Sequence, residues 1–210
     1  MLAQALMAWS ALAMGEGELA RGEALMEESI PVIREAGARW YFGLYLNRLG
    51  DFARLRGNYE RAERLYSEAV AIWRDLGMQA DTASALHNLG YAVLSQGDVT
   101  RARSLFAQSL ALQQSQDNGA GIAEGLAGLA AVAATEHRAE QAARLFGAVD
   151  ALRENLGGVL WPAERHEWER YVPATRAQLD DATFEAAWAE GRAMSLEHAI
   201  AYAREDTLGD

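Results

Sequence analysis

Apolar residues recur along this chain at helical spacing, in blocks separated by short breaks that contain glycine. In residues 38–77, Leu46, Leu49, Phe52 and Ala53 share one helical face, Gly57-Asn58 interrupts the pattern, and Ala62, Leu65, Tyr66, Ala69 and Val70 stripe a second helix. The block predicts a helical hairpin. Displacing the sequence against itself by 40 residues brings Leu49-Gly50 onto Leu89-Gly90 and then onto Leu129-Ala130. The same shift aligns Gly57, Gly97 and His137; Ala62, Ala102 and Ala142; Leu65, Leu105 and Leu145; and the aromatic residues Tyr66, Phe106 and Phe146. Backwards, it lands on Gly17, Gly22, Leu25 and Met26. Four repeats follow, 1–37, 38–77, 78–117 and 118–157. Small residues at 50 and 62 predict close approach of the paired helices, with Tyr66 filling the space toward the next repeat.

One hairpin cannot bury both of its faces, so the repeats must stack. Stacking with a small constant rotation predicts an all-α fold, a right-handed α-α superhelix with a concave groove. After Gly157-Gly158 the period stops, and residues 158–210 form a different segment, expected to cap the last repeat with short helices. Pro162 suits the first turn of a helix, and Pro173 is expected to kink or interrupt it. Asp180 or Asp181 can cap the next helix and Ser195 the last.

The repeats resemble the tetratricopeptide repeat, whose pattern of Leu-Gly, Gly, Ala, an aromatic and Ala is matched best by Leu49-Gly50, Gly57, Ala62, Tyr66 and Ala69. The third repeat has Ser109 for the last Ala; the fourth has Ala130 for Gly and His137 at the turn; the first, with Ser10 and Gly22, matches least. A repeat of 40 residues exceeds the usual length, which implies longer second helices or longer links. The tail adds a second resemblance. Ala142-Ala143-Arg144-Leu145-Phe146-Gly147-Ala148, Phe184-Glu185-Ala186-Ala187-Trp188-Ala189-Glu190-Gly191-Arg192 and Met194-Ser195-Leu196-Glu197 are similar to the C-terminal end of large bacterial regulators. In those proteins, LuxR-type, antibiotic-regulator-type or cyclase-type effector domains precede a MalT-like signalling ATPase, and a tetratricopeptide arm ends the chain. The resemblance implies the arm alone, because no Gly-x-x-x-x-Gly-Lys phosphate loop is present.

Composition narrows the chemistry. The chain has no cysteine, which excludes disulfides, thiolate zinc sites and cysteine nucleophiles, and is consistent with a reducing, cytoplasmic setting. All 19 basic residues are arginine, so lysine-based mechanisms are excluded as well. A net charge of -11 argues against direct nucleic-acid binding, which needs a clustered basic surface. The apolar opening through Met14 lacks a basic leader and reads as a repeat helix, with no membrane role implied. The first repeat has nothing before it to cover Leu2, Leu6 and Trp9; an excised fragment is the preferred reading of that end and a homodimer face the other.

No catalytic constellation, cofactor site or metal site emerges. The histidines at 87, 137, 166 and 198 form no metal-binding pair, and Glu27-Glu28, Glu167 with Glu169, and Asp180-Asp181 read as solvated carboxylates. The chain reads as a non-enzyme. By tetratricopeptide analogy, the inner face takes Asn47, Asp51, Arg54 and Leu55 from the second repeat. It takes His87, Tyr91, Leu94 and Ser95 from the third, and Glu124, Ala127, Ala131 and Thr135 from the fourth. The candidate ligand groove is therefore Asn47, Asp51, Arg54, His87, Tyr91 and Glu124, whose amide, guanidinium and aromatic groups suit a protein, a peptide or a small effector. Residues 38–77 carry seven arginines against five acids beside acidic neighbours, which favours a partner of mixed or acidic character there. Two functions remain: a sensor arm acting on the ATPase and effector domains of the same protein, or a free-standing adaptor or homo-oligomerising scaffold.

Overall fold

The computed structural model of the protein describes residues 2–157 and 160–204, with side chains from residue 5 onward. Gly158 of the expected boundary and the side chain of Leu2 lie outside the described residues. The chain divides into two compact units, Met1–Gln96 and Gly97–Asp210. The first holds α1 (Leu2–Gly15), α2 (Leu19–Glu35), α3 (Arg39–Leu55), α4 (Tyr59–Asp75) and α5 (Gln79–Ser95). The second holds α6 (Val99–Gln114), α7 (Gly119–Thr135), α8 (Ala139–Leu156), α9 (Pro162–Arg176), α10 (Asp181–Arg192) and α11 (Leu196–Arg204). The fold is all-α, and no strand occurs among the described residues.

Helix starts keep the repeat interval: Arg39, Gln79 and Gly119 in one series, and Leu19, Tyr59, Val99 and Ala139 in the other. The links between them are three residues long, except for four between α6 and α7, and α3, α4 and α5 each have 17 residues. The extra length therefore lies in both helices of a hairpin, not in longer second helices or longer links. Each link turns through a left-handed residue. At Gly57, with φ 75°, the Gly57 amide donates to the Arg54 carbonyl at 2.9 Å and the Asn58 amide to the Ala53 carbonyl at 2.8 Å, which closes the helix end. Asp117 (φ 49°) and His137 (φ 61°) hold the same conformation without being glycine. Asn58, Asp98 and Asn118 then cap α4, α6 and α7 by accepting from the amides of Arg61, Arg101 and Gly121.

Small residues set how closely the helices pack. In the first unit a Cβ on Gly50 would come within 2.5 Å of the Tyr66 ring, so Tyr66 seats against the first helix of its own hairpin. A Cβ on Gly22 of α2 would come within 2.6 Å of Phe52 of α3, so that aromatic joins one hairpin to the next. In the second unit Phe106 of α6 occupies the space above Gly128 of α7, the inter-repeat role expected of the column that holds Tyr66. Full burial of one such aromatic contributes roughly 1.5–3 kcal/mol.

A polar clasp joins the second helix of one hairpin to the end of the first helix of the next. Arg56 pairs with Glu23, Gln96 donates to Glu63 at 2.7 Å, and Arg103 pairs with Glu136, each pair being 33 residues apart. The sign changes along the chain, from acid–Arg to acid–Gln to Arg–acid. Pairing in a wrong register would bring like charges together, so the clasp favours one order of stacking. Arg39, Arg48, Arg54, Arg56 and Arg61 are all ion-paired within the first unit, which consumes much of the local basic surplus.

The tail departs from expectation at Pro173 and at Glu167, and keeps to it at its caps. Helix α9 runs through Pro173 to Arg176, because the proline sits in the last turn, where little helix follows it. Glu167 is buried rather than solvated, since it shares the inward face of α9 with Ala163 and Tyr171, and Arg170 lies 4.0 Å from its carboxylate. Asp180, not Asp181, caps α10 by accepting from the Thr183 amide, while Ser195 accepts from the His198 amide at 3.2 Å at the start of α11. Helices α9 and α10 cover α8: Trp168 meets Phe146 edge-on at 5.5 Å, and Phe184 and Ala187 pack on Ala143. At the start of the first unit Leu6 is buried, contrary to expectation, because it turns toward α2; Trp9 and Leu12 are exposed.

Candidate ligand-binding surfaces

The first unit gathers five of the six candidate residues into one buried cluster. Asp51 and Arg54, one turn apart on α3, are joined through Tyr66 of α4: the Arg54 Nε donates to the Tyr66 hydroxyl at 3.2 Å, and that hydroxyl donates to Asp51 Oδ1 at 2.8 Å. Arg48 Nη1 donates to Asp51 Oδ2 at 3.1 Å, and an Arg54 guanidinium nitrogen lies 3.8 Å from Asp51 Oδ1. The Arg54 guanidinium sits 5.4 Å above the Tyr91 ring, which meets His87 edge-on at 5.0 Å. Asn47 accepts from Asn88 Nδ2 at 3.3 Å. Burial, and after it the Asp51 carboxylate, holds the Tyr66 phenol well above its usual pKa, so it remains a donor.

These groups spend much of their bonding capacity on one another. Asn47, Asp51, Arg54, His87 and Tyr91 are all buried. The signal for this mutual arrangement was in the repeat columns. Only the second repeat has Asp and Arg at positions that hold Tyr91 and Leu94 in the third and Ala131 and Ala134 in the fourth, and only it has a tyrosine where they have Phe106 and Phe146. The hydroxyl and the ion pair occur together because each satisfies the other.

Glu124 lies apart, half-buried on α7 in the second unit. It borders a cleft of about 330 Å³ whose walls include Ala120, Ala123, Leu156 and Leu160 and whose polar rim includes Arg153, Trp161 and Glu164. Glu164 belongs to the first turn of α9, where its Oε2 accepts from the Trp161 amide at 3.3 Å. The Arg153 guanidinium stacks 4.7 Å over Trp168. Sequence reasoning reached Glu124 alone; Arg153, Trp161 and Glu164 fall at or beyond the end of the repeat, where its register gives no prediction of contacts.

A larger and more polar cleft of about 690 Å³ is lined by His137, Arg138, Glu140, Gln141, Arg144 and Tyr202, among others. Its arginines are engaged by acids: Arg138 by Glu136, and Arg144 by Glu190 at 2.6 Å and Glu140 at 3.2 Å. Glu190 raises the Arg144 pKa further. His137 shares a 3.3 Å hydrogen bond with Gln178, whose amide nitrogen donates to the Ala134 carbonyl at 3.1 Å. Among the described residues no group of three or more His, Asp and Glu could hold a metal ion, and no helix is long and apolar enough to cross a membrane.

Residues 41–115 match the family model of the tetratricopeptide repeat. No curated protein matches the chain by sequence. Among solved structures, the chain is similar to nearly identical TPR-like repeats of a Podosopora anserina kinesin light chain candidate, with a TM-score of 0.60, 15% identity, and coverage of 99% of this chain and 97% of that one. A single-substitution variant of the same repeats gives a TM-score of 0.61 at 15% identity, covering 98% and 96%. At that identity the likeness is one of fold: this chain is a TPR-like all-α solenoid.

Proposed function

We propose that the chain is a protein-interaction module and serves as the regulatory arm of a multidomain bacterial signalling regulator. The observation that supports the binding role is the cleft at Glu124. It combines an apolar wall from Leu156 and Leu160 with two carboxylates, Glu124 and Glu164, beside the indole of Trp161. A peptide that sets an aliphatic side chain against that wall fits the cleft, with its polar groups meeting a rim of mixed charge from Glu124, Glu164 and Arg153. The tetratricopeptide match over residues 41–115 and the tail segments similar to the ends of such regulators support the regulatory role. A ligand can bias an attached ATPase only by binding one of its states more tightly than the other.

Selection of displayed peptides on the chain, followed by anisotropy titration, tests the binding role. Glu124→Arg and Trp161→Ala should each weaken a selected peptide by at least about tenfold, the loss typical of an anchor contact. Unchanged affinity in both variants contradicts the cleft. Titrating the chain into the ATPase module of a regulator of that class tests the rest. ATP turnover that shifts with chain and peptide supports it, and turnover indifferent to both contradicts it.

A further inference from the structure

The fourth repeat lacks two aromatic side chains that fill a definite space in the second. In register, Ala120, Ala123, Glu124, Arg153 and Leu156 stand where the second repeat has Trp40, Gly43, Leu44, Trp73 and Leu76. Those five fourth-repeat residues are the ones that α7 and α8 contribute to the cleft at Glu124. The first unit shows what its own repeat places there. Trp73 is 2% exposed and seats over Gly43, where an added Cβ would come within 2.9 Å of the indole. Trp40, one turn before Gly43, is half-buried, and its Nε1 donates to Asp81 Oδ2 of the following helix at 2.9 Å.

In the second unit neither ring has a substitute. Ala120 and Ala123 end at a methyl group, and the Arg153 guanidinium is turned onto the Trp168 ring, 4.7 Å from its centre. A polar residue in this column can fill its space, as Gln113 of the third repeat does by lying buried against Gly121 of α7, so the turn of Arg153 matters more than its polarity. The chain after α8 walls the outer side with Leu160, Trp161 and Glu164 but does not fill it, and about 330 Å³ stays open. That volume, closed on three sides, lies at the lower end of small-molecule sites, about 300–1,000 Å³.

We infer that the cleft is the seat of a small planar aromatic effector of indole size, with an N–H or O–H on the edge of its ring. Ala120 and Ala123 give it the flat floor that Gly43 gives Trp73, and the Trp161 indole gives it an aromatic neighbour. Glu124 and Glu164 stand at the rim to accept its donor, as Asp81 accepts from Trp40, because a carboxylate takes more than one hydrogen bond. The inference rests on the cleft proposed above as the peptide surface and adds its regulation: ring and peptide share Leu156 and Leu160, so each displaces the other.

The probe is 5-fluoroindole, followed by fluorine NMR against the whole chain. Its resonance should shift saturably, nuclear Overhauser effects should connect the ring to the Ala120 and Ala123 methyl groups, and it should displace a selected peptide that is sensitive to Glu124→Arg. Ala120→Trp restores the indole of the second repeat at an exposed position, so it should weaken the probe at least about tenfold with circular dichroism unchanged. No saturable shift, or one that ignores Ala120→Trp, overturns the inference and leaves the peptide reading standing. Saturable binding on a chain for which no peptide can be selected does the reverse. N-acetyltryptophanamide that binds more tightly than 5-fluoroindole would assign the ring to a peptide side chain and overturn the free effector; binding without displacement of the peptide would overturn the shared site.

Discussion

In the first unit, the stripe of α1 through Trp9 and Leu12 faces solvent; in the second, the outward side of α8 is closed by α9 and α10. The closure is tight enough to require glycine on both partners: a Cβ on Gly147 would collide with the Trp188 carbonyl, and one on Gly191 with the Arg144 carbonyl. Ion pairs of Arg144 with Glu190 and of Arg192 with Asp150 and Glu154 flank that contact. Both regions are built from the same hairpin, yet α8 carries a fitted cover, while the exposed stripe of α1 is apolar and free of charge. Stacking alone therefore does not dispose of a hairpin's outer faces. A dedicated segment with its own small residues is what seals one of them.

Four substitutions would break or sharpen that contrast, measured as shifts in urea denaturation. Phe52→Ala, in the covered version of the Leu12 column, should cost about 3–5 kcal/mol through lost burial and the cavity left behind. Gly191→Ala should destabilise by about 1–3 kcal/mol, because carbonyl and helix backbone cannot yield as a side chain can. Its sign is decisive, since the same change in an uncrowded helix interior would stabilise by about 1 kcal/mol. Asp117→Gly should stabilise by about 1 kcal/mol by relieving a left-handed conformation that glycine holds at the equivalent turns. Leu12→Ala should fall within about 0.5 kcal/mol of the parent, as expected for a side chain without a packed neighbour.

The repeat was legible because hairpin packing imposes the same small and large residues at each pass: Gly50, Gly90 and Ala130, or Tyr66, Phe106 and Phe146, carry the fold in plain view. The turns were equally readable from Gly17, Gly57 and Gly97. The tail was legible only as helices. Its contacts follow no period, and the face of α9 that buries Glu167 depends on what α9 packs against. Candidate site residues were legible as positions but not as environments. Column analogy located Asp51 and Arg54, whereas their burial depends on the single hydroxyl that distinguishes Tyr66 from the phenylalanines in its column. Glu124 was found and its neighbours were not, since Trp161 and Glu164 come from the non-repeating segment.

The absence of cysteine from the sequence permits a direct test of the open face. Single cysteines placed by Leu12→Cys, Phe52→Cys, Ala92→Cys and Val132→Cys occupy one repeat column, and thiol labelling of the native chain reports which of them solvent reaches. Leu12→Cys should react as fast as in the unfolded chain, while the other three should react only as the protein opens. Protection at position 12 equal to that at 52, 92 and 132 would contradict the account.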